Sequence, residues 1–511
     1  MQASKRVLIN TSAQYVRAIF NIVFSFLATR IILKVLGVDD YGIYTLIAGV
    51  ISILSFITSS LIITTQRFLS VAQGKKDLAK SKVIFNNSLI LHLIMGIGVV
   101  LILELLFPLL FNGFLNIPEV RIGAARTLYH LVALILFFTL ITSPFRAVLV
   151  SHENIVYISL IEVCDSVFKL LIAYVLYYVN SDKLVVYGLL LVGIQIFNLL
   201  TLSIYDFVKY EECVLPSFKR IDKTYLRNLF SFAGWTMYNL ICNLGRNQGI
   251  SILLNRYMGP AINASYGLGF QVSGALNNLS QSLLNAINPQ LMKAEGAGNR
   301  DRMIRLAEIE SKLAFFLLSA VAIPCVFEMP SLLKIWLGEV PQYAVLFCRM
   351  VILAALADTL TVGLGAANNA IGNIKKYTLV IYTIKLLTLT AAFVLLISGF
   401  SVVYVAVSYV VIEFISSICR LPFLHANANL NITQFVKRVF AKEFIPLVVL
   451  LISCVLIIQI ECSCRFLLTF SVSMSLYGIA IYMAGLCDDE KGIVDSYVKR
   501  VTLRIIKLER K

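Results

Sequence analysis

Lys and Arg are spread unevenly along this chain, alternating between crowded and nearly empty connections that separate long apolar runs. Reading the runs as membrane-spanning helices gives fourteen, at about 10–36, 41–66, 83–111, 124–148, 153–180, 184–208, 227–255, 261–290, 306–328, 343–371, 376–398, 401–424, 442–460 and 465–486. Each is near the length that a hydrocarbon core of roughly 30 Å requires. Eight segments that would share one side, the termini included, hold 31 of the 44 basic residues; the seven alternate loops hold 7, and 6 lie within spans. Basic short loops stay on the cytoplasmic side, so both termini are expected there. The expected fold class is an all-α polytopic membrane protein. With only 14% charged residues and no room for a soluble domain, the net charge of +16 reads as membrane-flanking, which excludes a nucleic-acid partner.

The residues argue against several site types. The first apolar run carries Arg17 and Arg30 and is too long for a cleavable leader, so it reads as a retained span. The ten Cys are scattered, only Cys462 and Cys464 lie close together, and the four His have no ligand-like partners, so no metal or other cofactor is expected. From Val494 the apolar positions Val494, Val498, Val501, Ile505 and Leu508 recur at helical spacing among Lys and Arg. That pattern predicts a basic amphipathic tail, 487–511, on the anionic inner leaflet, or a solvated positive-inside tail.

An internal repeat organises the rest. Leu36-Gly37, Tyr41-Gly42, Gln66-Arg67 and Gly74-Lys75-Lys76-Asp77 are echoed by Met258-Gly259, Tyr266-Gly267, Pro289-Gln290 and Gly298-Asn299-Arg300-Asp301. The offset, about 225 residues, spans six helices, and an even number keeps both copies in one orientation. The sequence therefore predicts two pseudo-symmetric six-helix lobes, 1–215 and 216–430, around a central cavity, with two additional helices in 431–486.

Polar residues are costly in hydrocarbon, so stripes of them should face a cavity or glue helices together. Asn10, Gln14, Arg17, Asn21 and Ser25 form one stripe on the first span, and Asn239, Asn243 and Arg246, with Asn247 and Gln248, form another on the seventh. On the eighth, Gln271, Gly274, Asn278, Gln281, Asn285 and Asn288 recur at the same periodicity. Arg17 and Arg246 are the candidate anion-binding residues, because a guanidinium fork suits phosphate and stays charged. The amides (Gln14, Asn21, Asn243, Asn247, Gln248, Gln271, Asn278, Gln281 and Asn285) are candidates for sugar hydroxyls. Asp165 can pair with Lys169 at i,i+4. Asp165, Lys385, Asp358 and Glu413 are candidates for proton or sodium coupling, with inter-helix salt bridges the competing reading for Asp358 and Glu413.

Arg30-Ile-Ile-Leu-Lys-Val-Leu-Gly37 with Tyr41-Gly-Ile-Tyr44 and Gln66-Arg67-Phe68 resembles the opening of bacterial polysaccharide flippases of the multidrug/oligosaccharidyl-lipid/polysaccharide exporter superfamily. Leu254-Asn255-Arg256, Gly259-Pro260, Tyr266-Gly267, Pro289-Gln290 and Trp336-Leu337-Gly338 with Pro341 resemble its C-terminal half. The resemblance implies a transporter, not an enzyme, that moves undecaprenyl-diphosphate-linked repeat units of O-antigen, capsule or exopolysaccharide to the outer leaflet by alternating access. It also implies membrane lipids, glycosyltransferases and a polymerase as partners. The alternatives are a drug/cation antiporter or a peptidoglycan-precursor flippase of the same superfamily and, more remotely, a membrane enzyme acting on the same glycolipid.

Overall fold

The computed structural model describes residues 2–52, 54–111, 117–217, 221–337, 339–460, 465–492 and 495. Helix occupies each of the fourteen apolar runs, and no strand occurs among the described residues. The tail stripe at Val494, Val498, Val501, Ile505 and Leu508 lies outside them. In chain order the helices are α1 (Gln2–Ser52), α2 (Ser55–Gly74), α3 (Leu78–Leu109), α4 (Ile122–Ser151), α5 (Ile155–Val175), α6 (Lys183–Lys209), α7 (Lys223–Met258), α8 (Pro260–Gly296) and α9 (Arg300–Leu337). They continue as α10 (Ala344–Thr359), α11 (Val362–Ile371), α12 (Lys375–Ile397), α13 (Val402–Ile418), α14 (Arg420–Ala428), α15 (Ile432–Arg438), α16 (Phe440–Ile458) and α17 (Arg465–Ala480).

Among the described residues, eight helical segments are long and apolar enough to cross a membrane, with α10 and α11, bent by 50°, a ninth if the pair forms one span. Those that fall short are α1, α2, α5, α7 and α8, which carry the polar stripes and the Glu162/Asp165/Lys169 charges.

The chain divides into two compact units, one formed by 9–240 with 292–298 and the other by 1–8, 241–291 and 299–511. In the first, α4 is central and packs on α2, α3 and α6. Leu128, Leu140 and Tyr129 are almost fully buried there, and the Tyr129 hydroxyl donates to the Leu103 carbonyl at 2.6 Å. At one end Arg121 clamps Asp40 through two N–H groups (2.7 and 2.6 Å) and reaches Asp182 at 2.8 Å.

In the second unit α9 is the spine, packed on α10, α11, α16 and α17. Polar ties run along it. Lys312 meets Glu490 at 2.5 Å, Ser319 meets the Tyr477 hydroxyl at 2.6 Å, and buried Glu328 accepts from Arg465 Nε at 3.0 Å and Thr469 at 2.9 Å. Each tie satisfies a polar group that hydrocarbon would leave stranded. The two helices beyond the twelfth run are thus an integral part of this unit.

The repeat is visible in backbone conformation, and it corrects the motif alignment. Gly37 and Gly259 both break helices at positive φ (81° and 91°), an offset of 222 residues. Lys76 (56°) and Gly298 (72°) keep that offset, and Asp77 and Asn299 each cap the following helix through a side-chain oxygen. Gly74 therefore corresponds to Gly296, two residues short of the Gly298 that motif matching selects. The conserved-looking Gly-x-x-Asp pattern matches residue types, whereas the turn is fixed by which residue takes the left-handed conformation.

Candidate functional site

The first unit contains a cavity of 830 Å³, within the size range of small-molecule sites. Arg17 and Asn21 reach it from α1, Thr139, Ser143 and Arg146 from α4, and Glu162, Asp165, Ser166 and Lys169 from α5. Gln195 and Asn198 of α6 complete the polar wall, and Tyr41, Tyr44 and Tyr187 form an aromatic one, Tyr44 and Tyr187 meeting edge to face at 5.0 Å. Three cations (Arg17, Arg146, Lys169) face two carboxylates (Glu162, Asp165), leaving a formal charge of +1.

The pairing within this set is specific. Arg17 Nη1 donates to one oxygen of Glu162 and Arg146 Nη2 to the other. Lys169 pairs with Asp165 at 2.7 Å, the i,i+4 pair expected from sequence, and Asn198 donates to Asp165 at 3.2 Å. Ser166 donates to Asn21 Oδ1 at 2.7 Å. Of the described residues that line this cavity, two have a buried polar atom with no hydrogen-bond partner: Arg17 (Nε) and Asn198 (Oδ1). A spare donor and a spare acceptor thus flank the cavity.

The second unit has a smaller cavity of 390 Å³. Its charges are Arg246, Lys385 and Arg420 against Asp358 and Glu413, again three to two and +1. Arg246 donates to Glu413 at 2.5 Å, lies 4.6 Å over the Tyr409 ring, and is only 6% exposed. Lys385 bridges Glu413 and Asp358, the latter at 2.9 Å, and Arg420 grips Asp358 through both its carboxylate and its carbonyl (3.1 Å). The α10–α11 bend helps to place Asp358: Thr361 leaves the helix, and its hydroxyl meets that of Ser417 at 2.7 Å. Asp358 and Glu413, which show no partner within their own helices, thus find partners across helices.

The other sequence candidates are distributed unevenly. Gln14 is buried at 2% and stands outside the first cavity's lining, while Asn10, on the same stripe, donates to the Glu153 carbonyl at 2.9 Å. Asn243 and Asn247 line the second cavity, with Asn247 Oδ1 accepting from the Tyr409 hydroxyl at 3.3 Å. Gln248, Gln271, Gln281 and Asn285 are exposed. Asn278 is helical, and its side chain lies outside the described residues. Arg17 and Arg246 are not equivalent positions of the repeat: Arg17 precedes Gly37 by 20 residues and Arg246 precedes Gly259 by 13. Seven residues at 1.5 Å rise place Arg17 about 10 Å further from its helix break, on nearly the same face.

Sequence reasoning missed Arg146, which charge counting assigns to a cytoplasmic flank. The signal was present: Thr139, Ser143 and Arg146 follow 4,3 spacing on α4, as Gln195 and Asn198 follow a spacing of 3 on α6.

The model of the family described as "Polysaccharide biosynthesis protein" matches residues 3–295, more than half of the chain. The chain belongs to that family. A curated relative, the "Uncharacterized membrane protein EpsK" of Bacillus subtilis (strain 168), is 24% identical over 340 residues. The match spans 65% of this chain and 65% of that relative, less than two-thirds of its length. Among solved structures, a MATE transporter in the bent conformation superposes with a TM-score of 0.74 at 13% identity, covering 86% of this chain and 97% of the other. A MOP-superfamily transporter from Pyrococcus furiosus, whose description reports reversed binding-pocket polarity, gives 0.71 at 11% identity, covering 84% and 96%. At these identities the structures establish the fold. The chain is thus a multi-pass membrane protein of the polysaccharide biosynthesis family, with the fold of the MATE and MOP-superfamily transporter structures.

Proposed function

We propose that this protein flips undecaprenyl-diphosphate-linked oligosaccharide repeat units from the cytoplasmic to the outer leaflet of the bacterial inner membrane by alternating access. The observation that carries this reading is the first unit's cavity: two arginines at one spot, amides and hydroxyls around them, and a tyrosine wall. Guanidinium groups recognise a diphosphate by charge and by paired N–H donors. Amides satisfy sugar hydroxyls, and aromatic faces pack on their apolar sides. The exposed amides of α8 add support, since an exposed polar stripe in a spanning helix calls for an aqueous surround. The lipid tail stays in the bilayer, because withdrawing it would cost about 0.8 kcal/mol per CH₂.

The excess of cations over carboxylates in each cavity favours an anionic cargo over the cationic cargo of a drug antiporter. Glycosyltransferases and a polymerase of the same pathway are the partners this reading implies. For coupling, a proton or sodium ion would act at Asp165, Asp358, Lys385 or Glu413, the charged groups that share the cavities with the arginines.

The test is complementation of a strain lacking the protein. Arg17→Ala and Arg146→Ala should each abolish surface polysaccharide at unchanged membrane levels, and Arg17→Lys should restore part of it. Wild-type polymer from both alanine variants refutes the reading.

A further inference from the structure

One carboxylate in the first cavity does something unusual: Glu162 is shared by two arginines from different helices, each using a single N–H on a separate oxygen. Arg17 and Arg146 keep their remaining donors, and Arg17 Nε is buried with no partner. Glu162 is 21% exposed at the cavity wall, so this is a pair that a ligand can reach and not one sealed in the core. The arrangement is that of an anion site already holding an anion.

We propose that Glu162 is a built-in stand-in for the cargo's phosphate, occupying the Arg17–Arg146 site between cycles and returning to it to expel the diphosphate. The proposal rests on the reading of this cavity as a diphosphate site and adds to it the group that sets affinity and release. The physical case is one of exchange. Two guanidinium groups brought to one carboxylate repel each other if left bare, so the empty site calls for a counter-ion. A single carboxylate offers two oxygens and one charge. A diphosphate offers more of both, and it can also engage the buried Nε, so it displaces Glu162 on arrival. Because Glu162 stays tethered at the site's edge, it competes again at high effective concentration. Binding is thereby weakened to a level from which cargo can leave, as transport requires. Ser166, which donates to the Glu162 carbonyl at 3.1 Å and to Asn21 at 2.7 Å, anchors this turn of α5 against α1 and keeps the carboxylate beside the arginines.

The test uses the purified full-length protein in detergent and inorganic diphosphate as the probe, with titration calorimetry at pH 7.5. Glu162→Gln should bind diphosphate at least tenfold more tightly than wild type, and the gain should vanish in the Arg146→Gln/Glu162→Gln double variant. Glu162→Asp, which draws the carboxylate back from the arginines while keeping its charge, should show a smaller gain; it decides the matter if the Gln variant does not fold. In cells, Glu162→Gln should lower surface polysaccharide despite its tighter binding. Diphosphate binding by wild type with no gain in the Glu162 variants overturns this proposal alone. No binding by any form overturns the cavity reading, and this proposal with it.

Discussion

Single side chains in the second unit carry unequal burdens. Glu413, 4% exposed, neutralises both Arg246 and Lys385, while Asp358 neutralises Lys385 and Arg420. Removing Glu413's charge leaves three buried cations, Arg246, Lys385 and Arg420, with Asp358 as the one carboxylate of the cluster, and breaking a buried pair costs about 3–5 kcal/mol. Glu413→Gln should therefore lower the thermal unfolding midpoint in detergent clearly, and Asp358→Asn by less, since the Asp358 side chain is 33% exposed and water can share its load. Equal midpoints for wild type and Glu413→Gln would remove the network from any structural role. Much of this site was legible in the sequence because charges inside apolar runs announce themselves, as Arg17, Arg246, Lys385 and Glu413 do. Arg146 and Arg420 were not, because each lies near the end of a span, where a cation reads as a positive-inside flank. Partner choice was not legible either: Glu162 meets Arg17 across 145 residues and Glu413 meets Arg246 across 167, distances over which spacing carries no information.

Helices show what periodicity can and cannot specify. Spans, breaks and polar faces follow from hydropathy and glycine, so the fourteen helical stretches were readable. Crossing points were not, because they depend on backbone approach. The sharpest is where the end of α2 meets the end of α8. A Cβ on Gly74 would stand 2.2 Å from the Lys293 carbonyl oxygen, and one on Gly296 would stand 2.2 Å from that of Val71. The two contacts match each other at the repeat's offset of 222 residues. Small residues allow such contact in membranes. Gly74→Ala and Gly296→Ala should each destabilise the fold, by more than the roughly 1–3 kcal/mol typical of overpacking, because the obstacle is backbone and cannot rotate away. Thermal unfolding of the purified variants, with Gly123→Ala as a control where a Cβ meets nothing within 4 Å, checks this. A midpoint shift no larger than the control's would show that the helices separate freely there.

At the scale of the whole chain, the same solution occurs twice with different parts. Each unit has a cavity with three cations and two carboxylates, yet the charges come from α1, α4 and α5 in one and from α7, α10, α12, α13 and α14 in the other. Charge balance, more than residue identity, is what the duplicated halves retain. That balance has meaning only if the helices are threaded in one sense, which the flanking charges determine. Clusters such as Lys75-Lys76 and Lys375-Lys376 resist translocation, while Asp40, Glu119 and Asp182 mark sparsely basic loops at the Arg121 end. A cytoplasmic fluorescent reporter joined after Ser217 should therefore glow, and alkaline phosphatase joined after Ser181 should be active; swapping the reporters should silence both. Because 31 basic residues stand against 7, neutralising Lys75, Lys76 and Lys80 together should leave both signals in place. Reversed reporter activities would place the Arg121–Asp40–Asp182 clamp in the cytoplasm, and the proposed direction of transport would then lose its support.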